Sequence, residues 1–321
     1  MKRLVAAAVA VVCLCLPATA QERPVIRAAV LEIGTVNWEL ATIVEEGLDE
    51  KHGFALEILP YADNGATRVA VEGGAADMAV ADWIWVARQR AAGKDYVYIP
   101  YSKAVGALLV PDDSAAQSLK DLAGGRIGIA GGPLDKSWLI LRAYATRVQE
   151  FDLAAETEQV YGAPPLIFKS GLSGEFDGAI NFWHFLAKMK AGGMRELVNV
   201  ETAATELGLD PDLPLLGYYM KEDFLAENPD LARNFHAASR DAKALLAESP
   251  EAWERLRPRM NAQSDAQFET LKADWLAGAP DEAPIDPRAA EEFLSVMHEL
   301  GGEELVGEAT TLPEGLFADL E

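Results

Sequence analysis

The stretch Gly74-Ala75-Ala76-Asp77-Met78-Ala79-Val80-Ala81-Asp82-Trp83 returns one hundred residues later as Gly174-Glu175-Phe176-Asp177-Gly178-Ala179-Ile180-Asn181-Phe182-Trp183. Gly, Asp, Ala and Trp recur in register, and Val80 is matched by Ile180. Each copy reads as a glycine turn, a short buried strand and a helix start. The same spacing relates Trp38 to Trp138, each near the start of a helix after a glycine-containing turn. A period this long is not that of a short solenoid. It predicts two similar α/β lobes.

Outward from this motif, short apolar segments alternate with longer amphipathic ones, the pattern of an α/β protein. Strands are expected at Val25–Ile33, Ala55–Leu59, Met78–Ala81, Tyr96–Pro100, Ala107–Val110, Arg126–Ala130, Gly178–Asn181 and Leu215–Met220. Helices are expected over Asn37–His52, Ala66–Glu72, Asp135–Gln149, Trp183–Lys190 and Asp230–Glu248. Asp82 is placed to cap the helix that begins at Trp83. Ser118-Leu119-Lys120-Asp121 resembles a capping box. Seams fall at Pro111-Asp112-Asp113-Ser114 and at Asp210-Pro211-Asp212-Leu213-Pro214. The acidic tail, Gly301–Glu321, is expected to be irregular.

The chain has 321 residues, with 51 Asp and Glu against 28 Lys and Arg, for a net charge of −23. A nucleic-acid binder needs a basic face to displace counterions from phosphates, so that class is excluded. Docking on an anionic leaflet is disfavoured for the same reason. Half the residues are hydrophobic, too many for a disordered chain. Met1–Ala20 reads as a secretory signal peptide: Lys2 and Arg3, an apolar run from Leu4 to Leu16, Pro17, then Ala18-Thr19-Ala20. A lipoprotein anchor at Cys13 or Cys15 fits less well, because Val12 and Leu14 precede them. Cleavage before Gln21 removes both cysteines and two basic residues, leaving a net charge of −25. The mature chain then has no disulfide, no thiolate metal site and no cysteine nucleophile. Export without disulfides suits a bacterial periplasm.

In an open α/β sheet, ligands bind beyond the carboxyl ends of the strands, where the next helices begin. Trp38, Trp83, Trp138 and Trp183 are all predicted there, two from each lobe. At least two of them are expected to face one cleft between the lobes.

Several segments carry a family resemblance. They are Glu45-Glu46-Gly47-Leu48-Asp49-Glu50-Lys51-His52-Gly53, Val71-Glu72-Gly73-Gly74-Ala75-Ala76-Asp77-Met78-Ala79, Ser118–Ile129, Gly174–Ala179 and Tyr219–Asp230. In this order they resemble the periplasmic substrate-binding proteins of ABC importers. The nearest likeness is to the nitrate/sulfonate/taurine-binding family and its thiamine-pyrimidine-synthase-like relatives. The resemblance implies a periplasmic binding protein of type II. Two α/β lobes would be joined by a hinge of two crossover strands, with a helical C-terminal region. Lobe 1 would hold residues 21–110 and 215–321, and lobe 2 residues 111–214. A small-molecule ligand would sit between them, and the closed form, a monomer, would dock on an inner-membrane ABC permease.

The family's anion binders use backbone N–H groups at helix N-termini. Here the Gly131-Gly132-Pro133 turn and the start at Asp135-Lys136-Ser137 offer such donors, with Lys136 and Ser137 as side-chain partners. The tryptophans point instead to a flat heterocycle or a quaternary ammonium. Asp82 and Asp135 would suit a cation, but both also read as helix caps. Asn181 ends a strand and is a hydrogen-bonding candidate, and His184 flanks Trp183. Glu32, Asp82, Asp135 and His184 are the candidate ligands for a hard cation; no metal-spaced motif accompanies them, and no metal or cofactor is expected.

An enzyme is the rival class. The synthases resembled carry a cysteine-rich motif and iron-binding histidines; the mature chain has no cysteine, so that carry-over fails. No G-x-S-x-G elbow is present. His52, His184, His236 and His298 lie mainly on predicted helices without a nucleophile partner. The expectation is a binding protein with no catalytic residue. A ligand sensor for a membrane receptor, or a binder of a metal ion or metal chelate, is the alternative use of the same fold.

Overall fold

The computed structural model describes residues 23–103, 106–280 and 284–320. The expected signal peptide, with Cys13 and Cys15, lies outside the described residues. The first lobe is built from β1 (Val25–Leu31), α1 (Val36–Glu45), α2 (Leu48–Lys51), β2 (Ala55–Tyr61), α3 (Asn64–Glu72), β3 (Met78–Asp82), α4 (Trp83–Ala91) and β4 (Tyr96–Ser102). The second contains β5 (Ala107–Pro111), β6 (Arg126–Ala130), α5 (Lys136–Arg147), β7 (Glu158–Gly162), α6 (Pro164–Leu172), β8 (Gly178–Ile180), α7 (Trp183–Lys190), β9 (Met194–Asn199) and α8 (Val200–Glu206). The chain returns through β10 (Leu216–Lys221) and ends in α9 (Glu222–Glu227), α10 (Leu231–Glu248), α11 (Pro250–Met260), α12 (Asp265–Ala277) and α13 (Pro287–Val306).

Among the described residues the strands form two five-stranded sheets of one design, β2-β1-β3-β10-β4 and β7-β6-β8-β5-β9. Parallel strands occupy one side of each. The antiparallel fourth strand is the one arriving from the other lobe, β10 in the first sheet and β5 in the second. The repeated motif does the same work twice. Gly74 and Gly174 take φ of 75° and 76°, a left-handed turn that favours glycine. The carboxylate three residues on reaches back to the lobe's first parallel strand. Asp77 accepts from the Arg27 backbone N–H at 2.9 Å, and Asp177 from that of Arg126 at 2.8 Å.

Several expectations change. Ala107–Val110 does not belong to the first lobe: Leu108 and Leu109 pair with β8 and β9. The first crossing therefore lies between Ser102 and Ala107 rather than at Pro111. The helix over Asn37–His52 divides at Gly47, whose φ of 65° interrupts the right-handed turn. The C-terminal region is not confined to lobe 1. Helix α12 packs on α7, and α13 packs on both α4 and α5. The tail is ordered where it meets the first sheet. The Tyr98 N–H donates to the Leu316 carbonyl at 2.7 Å, and the Ala318 N–H to the Tyr98 carbonyl at 2.9 Å. This covers the edge of β4, which would otherwise present unpaired groups.

The largest apolar cluster spans both lobes, joining Trp83 and Tyr219 to Ile127, Trp138 and, from α13, Phe293. The two crossings are tied together by Lys103 and Asp212 at 2.5 Å. The Ser102 hydroxyl and the Lys103 N–H both donate to the Gly278 carbonyl at the end of α12, at 3.1 and 2.9 Å. The fold thus sets two sheets with their helix starts facing one cleft.

Candidate ligand-binding cleft

A cavity of about 420 Å³ lies between the lobes. Among the described residues, five helix starts border it: α1 at Thr35, α3 at Asn64, α4 at Asp82, α5 at Lys136 and α7 at Trp183. The first turn of each helix has N–H groups without intrahelical partners; at α3, α4 and α5 an aspartate at the cap, Asp63, Asp82 or Asp135, takes one of them. Hydroxyls of Thr35, Thr67, Ser137 and Tyr101 add polar points. Val30, Val36, Leu134, Phe182 and Leu216 supply apolar wall.

The sequence-predicted residues divide sharply. Asp82, Asp135, Lys136, Ser137, Trp183 and His184 line the cavity. Trp38, Trp83 and Trp138 do not; they are 3%, 0% and 1% exposed. Trp83 is covered by Phe293 of α13 and Phe317 of the tail, with ring centroids 5.9 and 6.0 Å away. The equivalent Trp183 packs against the cluster built by α11 and α12 but stays half-buried. Trp38 meets Trp183 edge-on at 5.8 Å and Trp253 at 6.3 Å, a contact between the lobes that leaves it behind the wall. Trp138 is the third residue of α5, and its ring turns into the shared core. One tryptophan of the four therefore reaches the cleft.

Asn181 is also withdrawn. It is 3% exposed, its amide donates to the Pro164 carbonyl at 2.9 Å, and its oxygen accepts from the Phe182 N–H at 2.8 Å. It braces the start of α7 against the start of α6 rather than facing the cavity. Glu32, Asp82, Asp135 and His184 do not gather: no group of three metal-ligating side chains occurs among the described residues.

The lining charges are largely committed. Asp82 caps α4 by accepting from the Trp85 N–H at 2.9 Å. Its second oxygen accepts from the Lys136 ammonium at 2.9 Å, across the cleft. Asp135 caps α5 through the Trp138 N–H at 3.0 Å. Burial raises its pKa, while that hydrogen bond and Lys136 oppose the rise. The turn before it, Gly131-Gly132, runs at φ of 86° and 87°, which lets the carboxylate fold back over the helix start. Burial, with a smaller push from Lys188, lowers the His184 pKa to about 4, so its ring is neutral at pH 7. It sits against Phe185 at 4.6 Å and Trp183 at 5.8 Å.

Sequence reasoning missed Arg68, Asn64, Thr67, Thr35 and Phe182, all of which border the cavity. The helix-start rule that selected Asp135 and Lys136 would also have found Thr35 and Asn64.

Solved structures share this architecture. The periplasmic aliphatic sulphonate-binding protein SsuA of Escherichia coli superposes with a TM-score of 0.69 at 17% identity, over 88% of this chain and 94% of that one. The alkanesulfonate-binding protein SsuA of Xanthomonas axonopodis pv. citri, bound to MOPS, gives 0.67 at 16% identity, over 93% and 99%. An ABC transporter protein from Parabacteroides distasonis gives 0.65 at 15% identity, over 92% and 99%. At these identities the likeness is one of fold, that of the type II periplasmic binding proteins. No curated protein sequence matches the chain. The NMT1/THI5-like family model matches residues 44–253, which takes in the repeated motif and both crossings. The chain belongs to the NMT1/THI5-like family.

Proposed function

We propose that the protein is an extracytoplasmic solute-binding protein. It captures a small organic molecule between its lobes and delivers it to an ABC-type permease in the inner membrane. The observation that carries this reading is the interlobe cavity of about 420 Å³, bordered by helix starts from both lobes. A pocket of this size and mixed lining suits a drug-sized ligand. Two of the structures of the same fold are named as sulfonate-binding proteins.

The mechanism is closure. A ligand touching both lobes binds the closed arrangement better than the open one, and shifts the population by that difference. In this reading the hinge is the pair of crossings that join β4 to β5 and α8 to β10. Chemistry on the ligand is not part of this reading: Asp82 and Asp135 are spent on caps, His184 is neutral, and the mature chain has no thiol. The protein works as a periplasmic monomer once its signal peptide is removed.

The test is melting temperature and tryptophan emission with sulfonates, carboxylates, pyrimidines and quaternary amines. A ligand at 100 times its Kd should stabilise the fold by about 2.7 kcal/mol. Trp183 should report it, and Trp183→Phe should lose the emission change. Turnover of any bound ligand would overturn the binding reading. Failure of the loaded protein to stimulate a co-reconstituted permease would overturn the transport role.

A further inference from the structure

The C-terminal helices join the two lobes at two places. At the first, α13 lies within the largest apolar cluster, where Phe293 meets Trp83 of the first lobe at 5.9 Å and Leu305 shares the core with Leu139 of the second. At the other, α11 and α12 lie between α1 of the first lobe and α7 of the second. Two ion pairs tie α11 to α1, Arg255 with Glu46 and Arg259 with Glu45. On α12, Asp274 pairs with the Lys190 ammonium of α7 at 2.8 Å. Lys188, also on α7, donates to the Asn261 carbonyl between α11 and α12 at 2.9 Å.

The second joint reaches the cleft. Trp183 borders the interlobe cavity and also a smaller one of about 110 Å³. Lys103 and Gly106 of one crossing, Pro211 of the other, Lys190 and Asp274 line that smaller space. An aromatic chain leads away from Trp183: to Trp38 at 5.8 Å, on to Trp253 at 6.3 Å and to Trp275 at 5.3 Å. The Trp275 indole N–H then donates to the Tyr101 hydroxyl, back on the cavity wall, at 3.1 Å. The two joints differ in kind. Parting the α13 joint would expose continuous hydrocarbon to water. At the α12 joint there is a void and a shared ammonium, and of α7 only Ala187 and Trp183 enter the apolar cluster.

We propose that the α11–α12 pair is a clasp: it holds α7 to the first lobe, sets how far the ligand-free cleft opens, and keeps Trp183 at the cavity wall. The Lys190–Asp274 pair is its releasable contact. The direction follows from coexistence. The clasp is made in the same arrangement in which Lys136 reaches across the cleft to Asp82 at 2.9 Å. It therefore favours the narrow cleft, and its loss shifts the population towards a wider one. The Lys190 ammonium supplies its own control. Its other partner, Glu196 at 3.1 Å, stands on β9 of the same lobe, so that contact does not oppose opening. The proposal rests on the solute-binding reading for its use; the clasp itself is read out without ligand, so the two can fail separately.

The experiment is a spin-label distance measurement across the cleft. The mature chain has no cysteine, so nitroxides can be attached through Val69→Cys on α3 and Leu166→Cys on α6, both exposed and one on each lobe. The mature protein is refolded from urea to strip any bound molecule, then frozen for pulsed electron resonance. Asp274→Asn should raise the ratio of long to short distances about fivefold, the factor that corresponds to about 1 kcal/mol for an ion pair. Lys188→Met should give a smaller shift in the same direction. Glu196→Gln removes an equal charge from the same ammonium within one lobe, and should leave the wild-type distribution. A distribution that is unchanged or shortened in Asp274→Asn overturns the clasp. An equal lengthening in Glu196→Gln also overturns it, because the effect would then be one of charge rather than of the joint. Should Asp274→Asn fail to refold, Lys188→Met decides alone: lengthening supports the clasp, and no change overturns it.

Discussion

Asp82 uses its two oxygens for two tasks, and substitution can separate them. One oxygen caps α4 through the Trp85 N–H, and the other holds Lys136 of the opposite lobe, each at 2.9 Å. Asp82→Asn keeps a capping oxygen and removes the charge. The Asp82 and Lys136 side chains are 16% and 25% exposed. Exposed ion pairs are worth about 0.2–1 kcal/mol and hydrogen bonds to charged groups about 1.5–3 kcal/mol, so a loss of about 1–1.5 kcal/mol is expected. Asp82→Ala removes the cap as well and should cost about 1 kcal/mol more. Lys136→Met removes the partner charge while keeping the apolar stem. Combined in a cycle, Asp82→Asn and Lys136→Met should show a coupling of about 1 kcal/mol in urea unfolding. Because the pair joins the lobes, ligand-free Asp82→Asn should also show a larger radius of gyration by X-ray scattering than the wild type. A coupling near zero with an unchanged radius would refute the view that this pair helps hold the cleft closed.

Three further outcomes can be checked separately. Glu39 is fully buried and accepts from Tyr218 at 2.9 Å and Ser239 at 2.5 Å while pairing with Lys243; Glu39→Ala leaves that ammonium uncompensated and should cost about 3–5 kcal/mol in urea unfolding. His184 has a folded pKa of about 4, below its unfolded value of about 6.5. The unfolded chain therefore binds the proton first, and stability present at pH 7 is lost as pH falls towards 4. The ring is part-exposed, so we expect about 1–2 kcal/mol rather than the full shift, absent in His184→Phe when both are unfolded in urea at pH 7 and pH 4.5. Asp177→Ala removes the acceptor for the Arg126 N–H at 2.8 Å and should cost about 1–2 kcal/mol, read as a lower urea midpoint at unchanged slope.

The fold was legible where local chemistry decides it. The bounds Arg126–Ala130 and Trp183–Lys190 agree in sequence and structure. So do the caps at Asp82 and Asp135 and the capping box at Ser118. Each depends on residues within one turn of one another. The repeat was legible too, because Gly-x-x-Asp must make the same turn and the same back-bond in each lobe. What escaped depends on distant partners. Whether an indole at a helix start faces cavity or core is settled by what covers it, and Trp83 is covered by residues 293 and 317. Pro111 is the last residue of β5, not the crossing: a proline is tolerated at a strand's end or edge, so it does not by itself mark where the chain changes lobes. Arg68 escaped for the same reason: nothing in its local pattern distinguishes it from a solvated helix arginine, and its place over Trp85 on the cavity wall is set by residues far along the chain.

The central claim is that the space between the lobes holds one small molecule. Native mass spectrometry tests it most directly, comparing the protein purified without denaturation with Ala81→Phe. Ala81 lines the cavity and is 8% exposed, so a phenyl ring there fills the ligand's space. The account predicts a single one-to-one adduct on the wild type that is missing from the variant, with both showing the same circular dichroism. An equal adduct on both, or none on the wild type after incubation with a metabolite extract, would contradict it.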